Sequence, residues 1–198
     1  MWEWIEMRTY TELPSDYREI LIVDLQKNKR LALFVNSLAV IIAVVMAVPM
    51  HFIVPISELF SMEKGILAYA LRFAAFLVLM VVYMILHELV HGAAMKLCGT
   101  KKVKYGFTGM YAFAGSTDYY PKKPYIFIAL APVVLWGAVI ALINPFVPSE
   151  WFWVVWLLQI INISGAAGDI YVTCRFSRLP ADILVRDHGT GMKVYGRN

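Results

Sequence analysis

Residues 66–98 read ILAYALRFAAFLVLMVVYMILHELVHGAAMKLC. The stretch lacks proline, and its only fixed charges are Arg72, Glu88 and Lys96. Crossing a bilayer takes roughly 20 helical residues, so this helix spans the membrane and either tilts or continues past its surface. Inside it lies His87-Glu88-Leu89-Val90-His91, an HExxH. On a helix the two imidazoles stand one turn apart on one face, where both can reach a single Zn²⁺. Glu88 then sits beside the metal, placed to accept a proton from water there. Ionisable groups within a span cost about 2.5–3.5 kcal/mol each on insertion scales. Three of them within two turns therefore call for a shared partner, which a divalent cation supplies.

Outward from this helix, the composition gives the same class. The 198 residues are 60% hydrophobic and 16% charged, with mean hydropathy +0.64. A soluble domain carries about a quarter charged residues. Apolar stretches at approximately 31–54, 66–98, 125–147 and 151–174 predict four spans. The N-terminus, with Trp2, Glu3, Trp4 and Glu6, lacks the basic start of a cleavable signal peptide, so the first span is read as retained. The expected fold is an all-α integral membrane protein of four transmembrane helices, with a short β-hairpin-like cytoplasmic loop between helices two and three. Residues 1–30 form a cytoplasmic N-terminal segment, 31–178 the membrane domain and 179–198 a cytoplasmic tail.

Lysine and arginine set the orientation. They collect before span one (Arg8, Arg18, Lys27, Lys29, Arg30), between spans two and three (Lys101, Lys102, Lys104, Lys122, Lys123) and after span four (Arg175, Arg178, Arg186, Lys193, Arg197). The other two connections offer Lys64 alone. The positive-inside rule places both termini in the cytoplasm of a multi-pass protein of the cell membrane. The +4 net charge thus reflects topology and contact with the lipid bilayer, not nucleic acid.

Two histidines leave a catalytic zinc short of one protein ligand. The metzincin position, six residues after the motif, holds Leu97, and the only later glutamate, Glu150, falls on the opposite side of the membrane. Asp169, towards the cytoplasmic end of span four, is the remaining candidate; its alternative is a helix-end pairing with Arg175 or Arg178. Asn162, two turns before Asp169, either contacts substrate or makes a helix–helix hydrogen bond. Gly165 and Gly168 are read as permitting close helix packing. Cys98 and Cys174, near cytoplasmic span ends, are read as small packed residues, with metal ligation as the alternative, and His51 and His188 as interfacial or solvated. Residues 103–120, VKYGFTGMYAFAGSTDYY, suggest short strands. Such a hairpin either holds an extended substrate by β-augmentation or anchors at the interface.

The motif order, HExxH, hairpin-like loop, Ile128-Ala129-Leu130-Ala131-Pro132, then Asn162 and Asp169, resembles that of the site-2 intramembrane zinc proteases. It resembles more closely a small bacterial membrane family of zincin peptidases, over residues 66–175. The resemblance implies His87, His91 and Asp169 as zinc ligands, Glu88 as catalytic base, and a membrane-protein or peptide substrate. The chain departs from the site-2 pattern where Ala131-Pro132 lacks a glycine between them and Gly165 replaces a proline. Two rivals stay open: a non-catalytic zinc-binding membrane scaffold, and a metal transporter. The latter is disfavoured because no second polar cluster continues a path across the bilayer.

Overall fold

The computed structural model describes residues 9–109, 112–189 and 191–197. The acidic and aromatic N-terminal start, and Met110 and Tyr111 of the aromatic segment, lie outside these residues. Four stretches are helical and apolar enough to cross a membrane: Lys29–His51, Ile66–Leu97, Lys122–Phe146 and Ser149–Ser177. The protein is thus a multi-pass membrane protein. The first two stretches are α1 (Lys29–His51) and α2 (Ile66–Leu97); the third is α3 (Lys122–Ile143) with a short 3₁₀ turn; the fourth is α4 (Ser149–Gly165) and α5 (Ala167–Ser177). Their outward side chains, such as Val44, Val45, Leu67, Val78 and Ile85, are exposed and apolar, a surface suited to lipid and costly in water. Helix α2 runs without a break until Gly99, whose φ of 99° only glycine adopts readily. There Thr100 N–H reaches the Met95 carbonyl and Gly99 N–H the Lys96 carbonyl, closing the helix as a Schellman motif.

The expectation of an all-α fold is corrected. Strands β1 (Tyr17–Val23), β4 (Tyr119–Pro121), β5 (Leu184–Asp187) and β6 (Met192–Arg197) form one antiparallel sheet, ordered β1-β6-β5-β4. Strands β2 (Lys104–Phe107) and β3 (Ala112–Gly115) form a separate hairpin. The sheet joins the two terminal segments, pairing Tyr17 with Arg197 and Val23 with Met192. Partners that far apart in sequence, on strands of three to seven residues, leave no local hairpin signal. The hairpin β2–β3 agrees with the reading of residues 103–120.

The chain divides into two compact units. One comprises Met1–Leu33, Glu88–Ala131 and Asp169–Asn198. Its core packs Met95 and Cys98 against Tyr120, Tyr125, Ile128, Phe176, Val185 and Val194. The other comprises Phe34–His87 and Pro132–Gly168. It packs Trp153 and Val154 with Leu59, and Tyr83 with Ile140 and Leu158. The intramembrane cation Arg72, 4% exposed, is tolerated because its guanidinium donates to the Ser61 and Glu150 carbonyls, replacing the water that lipid denies it.

Candidate metal centre

The continuous helix α2 carries His87, Glu88 and His91, and the i,i+4 spacing stacks the two imidazoles. The fourth span breaks after Gly165, and Asp169 falls in the first turn of α5, where the helix dipole favours a carboxylate. His91 Nε2 lies 3.7 Å from Asp169 Oδ2, with side chains 12% and 22% exposed. One ligand atom each from His87, His91 and Asp169 lies within 4.8 Å of the others. Nitrogen and oxygen ligands about 2.0–2.1 Å from a tetrahedral zinc are roughly 3.4 Å apart. The His91–Asp169 separation thus needs only a few tenths of an ångström of closure.

Hydrogen bonding on the far side of each ring fixes which nitrogen faces the site. His91 Nδ1–H donates to the Ile128 carbonyl at 2.9 Å. That carbonyl would ordinarily accept from the amide four residues on, but residue 132 is Pro132, inside α3, and has no N–H to give. The proline frees an acceptor for the histidine. Tyr83, one turn before His87, donates to Asn162 Oδ1 at 2.8 Å. Its hydroxyl hydrogen being used there, its oxygen accepts from His87 Nδ1–H, also at 2.8 Å. Asn162 is itself oriented by an Nδ2–H bond to the Val133 carbonyl. Both histidines thus engage their Nδ1–H in these outer bonds, which turns Nε2 of each ring, rather than Nδ1, towards the site. Such outer hydrogen bonds are the usual means of aiming and strengthening imidazole ligands. With the carboxylate of Asp169 completing a two-nitrogen, one-oxygen set, these residues fit Zn²⁺.

Behind His91 lies a buried polar layer. Tyr125 O–H donates to Asp187 Oδ2 at 2.8 Å, and Gly189 N–H to Oδ1 at 2.7 Å. Burial pushes the Asp187 carboxyl up to about 6 despite both donors. Tyr120 shares hydrogen bonds with Thr100 and Ser116, each 2.6 Å, and burial pushes its phenol up to about 12.

The remaining candidates fall elsewhere. Asn162 is fully buried, its amide engaged by Tyr83 and Val133. Cys98 is buried in the core and Cys174 is exposed, and neither joins the metal group among the described residues. Glu150 pairs with Lys64. His51 Nδ1 accepts from Ile56 N–H, and His188 is exposed in the β5–β6 turn. The close-packing reading of Gly165 and Gly168 is overturned, because a Cβ at either would meet open space. Both flank the break between α4 and α5, where weak helix propensity is the relevant property. Sequence reasoning passed over Tyr83, the pairing of Pro132 with Ile128, and Asp187. Of these, only Tyr83 carried a local signal, its place one turn before His87.

Residues 80–184, just over half the chain, match the profile of a family described as "Putative zincin peptidase". A relative from Pyrococcus woesei, named "Uncharacterized 24.7 kDa protein in gap 5'region", is 33% identical over 119 residues, covering 58% of this chain and 51% of the relative. The chain thus matches about half the length of that relative. No solved structure is significantly similar.

Proposed function

The chain belongs to this zincin peptidase family, and we propose that it is a zinc metallopeptidase resembling the site-2 proteases, hydrolysing peptide bonds of membrane-protein substrates within or beside the bilayer. The observation that carries this reading is Glu88 flanked by two histidines, each with its Nε2 aimed by a partner at its Nδ1, and Asp169 3.7 Å from the second. Bound there, Zn²⁺ supplies Lewis acidity that polarises the scissile carbonyl and brings the pKa of water towards about 7. Glu88 accepts the proton of the attacking water and returns it to the leaving amine. His87, His91 and Asp169 hold the metal. Asn162 acts through Tyr83 on the orientation of His87. The hairpin β2–β3 presents outer strand edges to which an extended peptide adds main-chain hydrogen bonds. The protein sits in the cell membrane with both termini in the cytoplasm.

Glu88→Gln and Asp169→Ala, purified in detergent beside the wild type, test this reading. Glu88→Gln should keep about one zinc per chain and lose cleavage of membrane peptides by roughly 10²–10⁴-fold, the worth of a general base. Asp169→Ala should lose zinc. Full cleavage by Glu88→Gln would sink the mechanism. A phenotype for His87→Ala but none for Glu88→Gln would favour a non-catalytic zinc scaffold.

A further inference from the structure

A cavity of about 340 Å³ opens beside the hairpin, lined among others by Lys104, Tyr105, Phe113, Thr117, Arg186 and His188. Two close backbone approaches build it. A Cβ on Gly115 would lie 2.6 Å from the Gly189 nitrogen, and one on Gly189 would lie 2.0 Å from the Phe113 ring. Hairpin β2–β3 and the β5–β6 turn are therefore pressed together through glycine, leaving the flanking side chains to line the gap. Gly189 also has φ 89°, a conformation that favours glycine.

The chemistry of the lining is one-sided. Lys104 and Arg186 are both basic, and among the described residues no carboxylate lines the cavity. Arg186 is pre-positioned: its Nη1 donates to Tyr119 Oη at 3.2 Å and its guanidinium lies 5.3 Å from the Tyr119 ring centroid. A planar, oriented guanidinium is well suited to a carboxylate. His188 and Thr117 add polar groups that can hydrogen-bond an oxyanion. The wall residue Tyr105 links this cavity to the metal helix, since a Cβ on Gly92 would lie 1.9 Å from the Tyr105 hydroxyl. Gly92 directly follows the ligand His91. A peptide lying along the hairpin would thus pass both the cationic cavity and the helix that carries Glu88.

We propose that this cavity is a substrate subsite that takes the side-chain carboxylate of an aspartate or glutamate, selecting peptides with an acidic residue at a fixed distance from the bond to be cut. The proposal rests on the peptidase reading for its substrate class. A charge-assisted, bidentate contact of this kind is among the stronger polar interactions.

The test uses the full-length protein carrying Glu88→Gln, so that bound peptide persists. Fluorescent peptides of one neutral sequence, with a single glutamate walked through successive positions, are compared with their glutamine counterparts. Glutamate at one position, or two adjacent ones, should tighten binding about tenfold. Adding Lys104→Gln and Arg186→Gln together should bring that ratio below about twofold, and Lys104→Glu should shift the preference towards a lysine peptide. The proposal is overturned if no peptide binds, if glutamate has no effect at any position, or if its effect survives the double substitution. It is also overturned if Lys104 instead governs only the response to anionic phospholipid in nanodiscs. Failure of the peptidase reading looks different: zinc-loaded wild type would cleave none of these peptides while the glutamate preference persisted.

Discussion

At the residue scale the site depends on where two protons sit. His87 and His91 can present Nε2 only while Nδ1 has an acceptor, and the acceptors are Tyr83 Oη and the Ile128 carbonyl. Tyr83→Phe removes the first and also strips Asn162 Oδ1 of its donor. Loss of such an outer partner weakens metal affinity by about 10–100-fold. Leaving a buried amide oxygen without a donor costs a further 1–3 kcal/mol or so of stability. Competition with a zinc chelator should place Tyr83→Phe between wild type and Asp169→Ala; an affinity equal to wild type would show that Tyr83 does not orient His87. The two histidines stood out because their identity and spacing are local, whereas Asp169, on a later span, is brought to them only by the fold. The orienting partners of the histidines stood out less, since Ile128 acts through a backbone carbonyl that has no residue signature.

At the scale of elements, Pro132 inside α3 leaves free the Ile128 carbonyl that holds His91. Pro132→Ala supplies an N–H that competes for the Ile128 carbonyl. The expected result is an intrinsically more favourable helix, by up to about 3 kcal/mol in propensity, together with zinc binding weakened several-fold. Stability and metal affinity would move in opposite directions, which a simple packing defect does not produce. A thermal melt paired with zinc titration distinguishes the two. Strand β5 offers a second measurement through Asp187. Burial lifts its carboxyl from 3.8 to about 6 in the folded protein, so the protonated form favours folding. Its contribution, about 3 kcal/mol at most, is fully present below pH 3.8 and is lost as pH rises through 6. In metal-free protein, wild-type stability relative to Asp187→Asn should therefore fall between pH 4 and pH 6.5. Parallel curves across that range would show that Asp187 does not titrate there. Neither role is visible in the sequence alone. Pro132 enters the sequence reading only as part of the Ile128–Pro132 motif, without its effect on the Ile128 carbonyl, and Asp187 reads as part of a polar tail, because Tyr125, 62 residues away, supplies its partner.

At the scale of the whole molecule, the sheet constrains topology. Strands β1, β4, β5 and β6 are joined by continuous ladders, Tyr17 to Arg197, Leu184 to Tyr195 and Tyr120 to Val185. Residues before the first span, between the second and third, and after the fourth therefore belong on one side of the membrane. The excess of lysine and arginine falls in these same three regions, so the ladder and the charge bias agree although they are physically independent. Spans were legible because apolar length is additive along the chain, while the sheet was hidden because β1 and β6 meet across nearly the whole sequence. For the side itself, the positive-inside rule gives the expectation, the cytoplasm. Reporters fused after residue 198 and within the connection at residues 61–65 should report opposite sides, the former cytoplasmic. Both reporters on one side would break the four-span count. A C-terminal reporter outside the cytoplasm would keep the sheet and the spans but invert the molecule, moving the end of α2 that carries His87, Glu88 and His91 to the other face of the bilayer and, under the proposed peptidase activity, changing which part of a membrane substrate could reach Glu88.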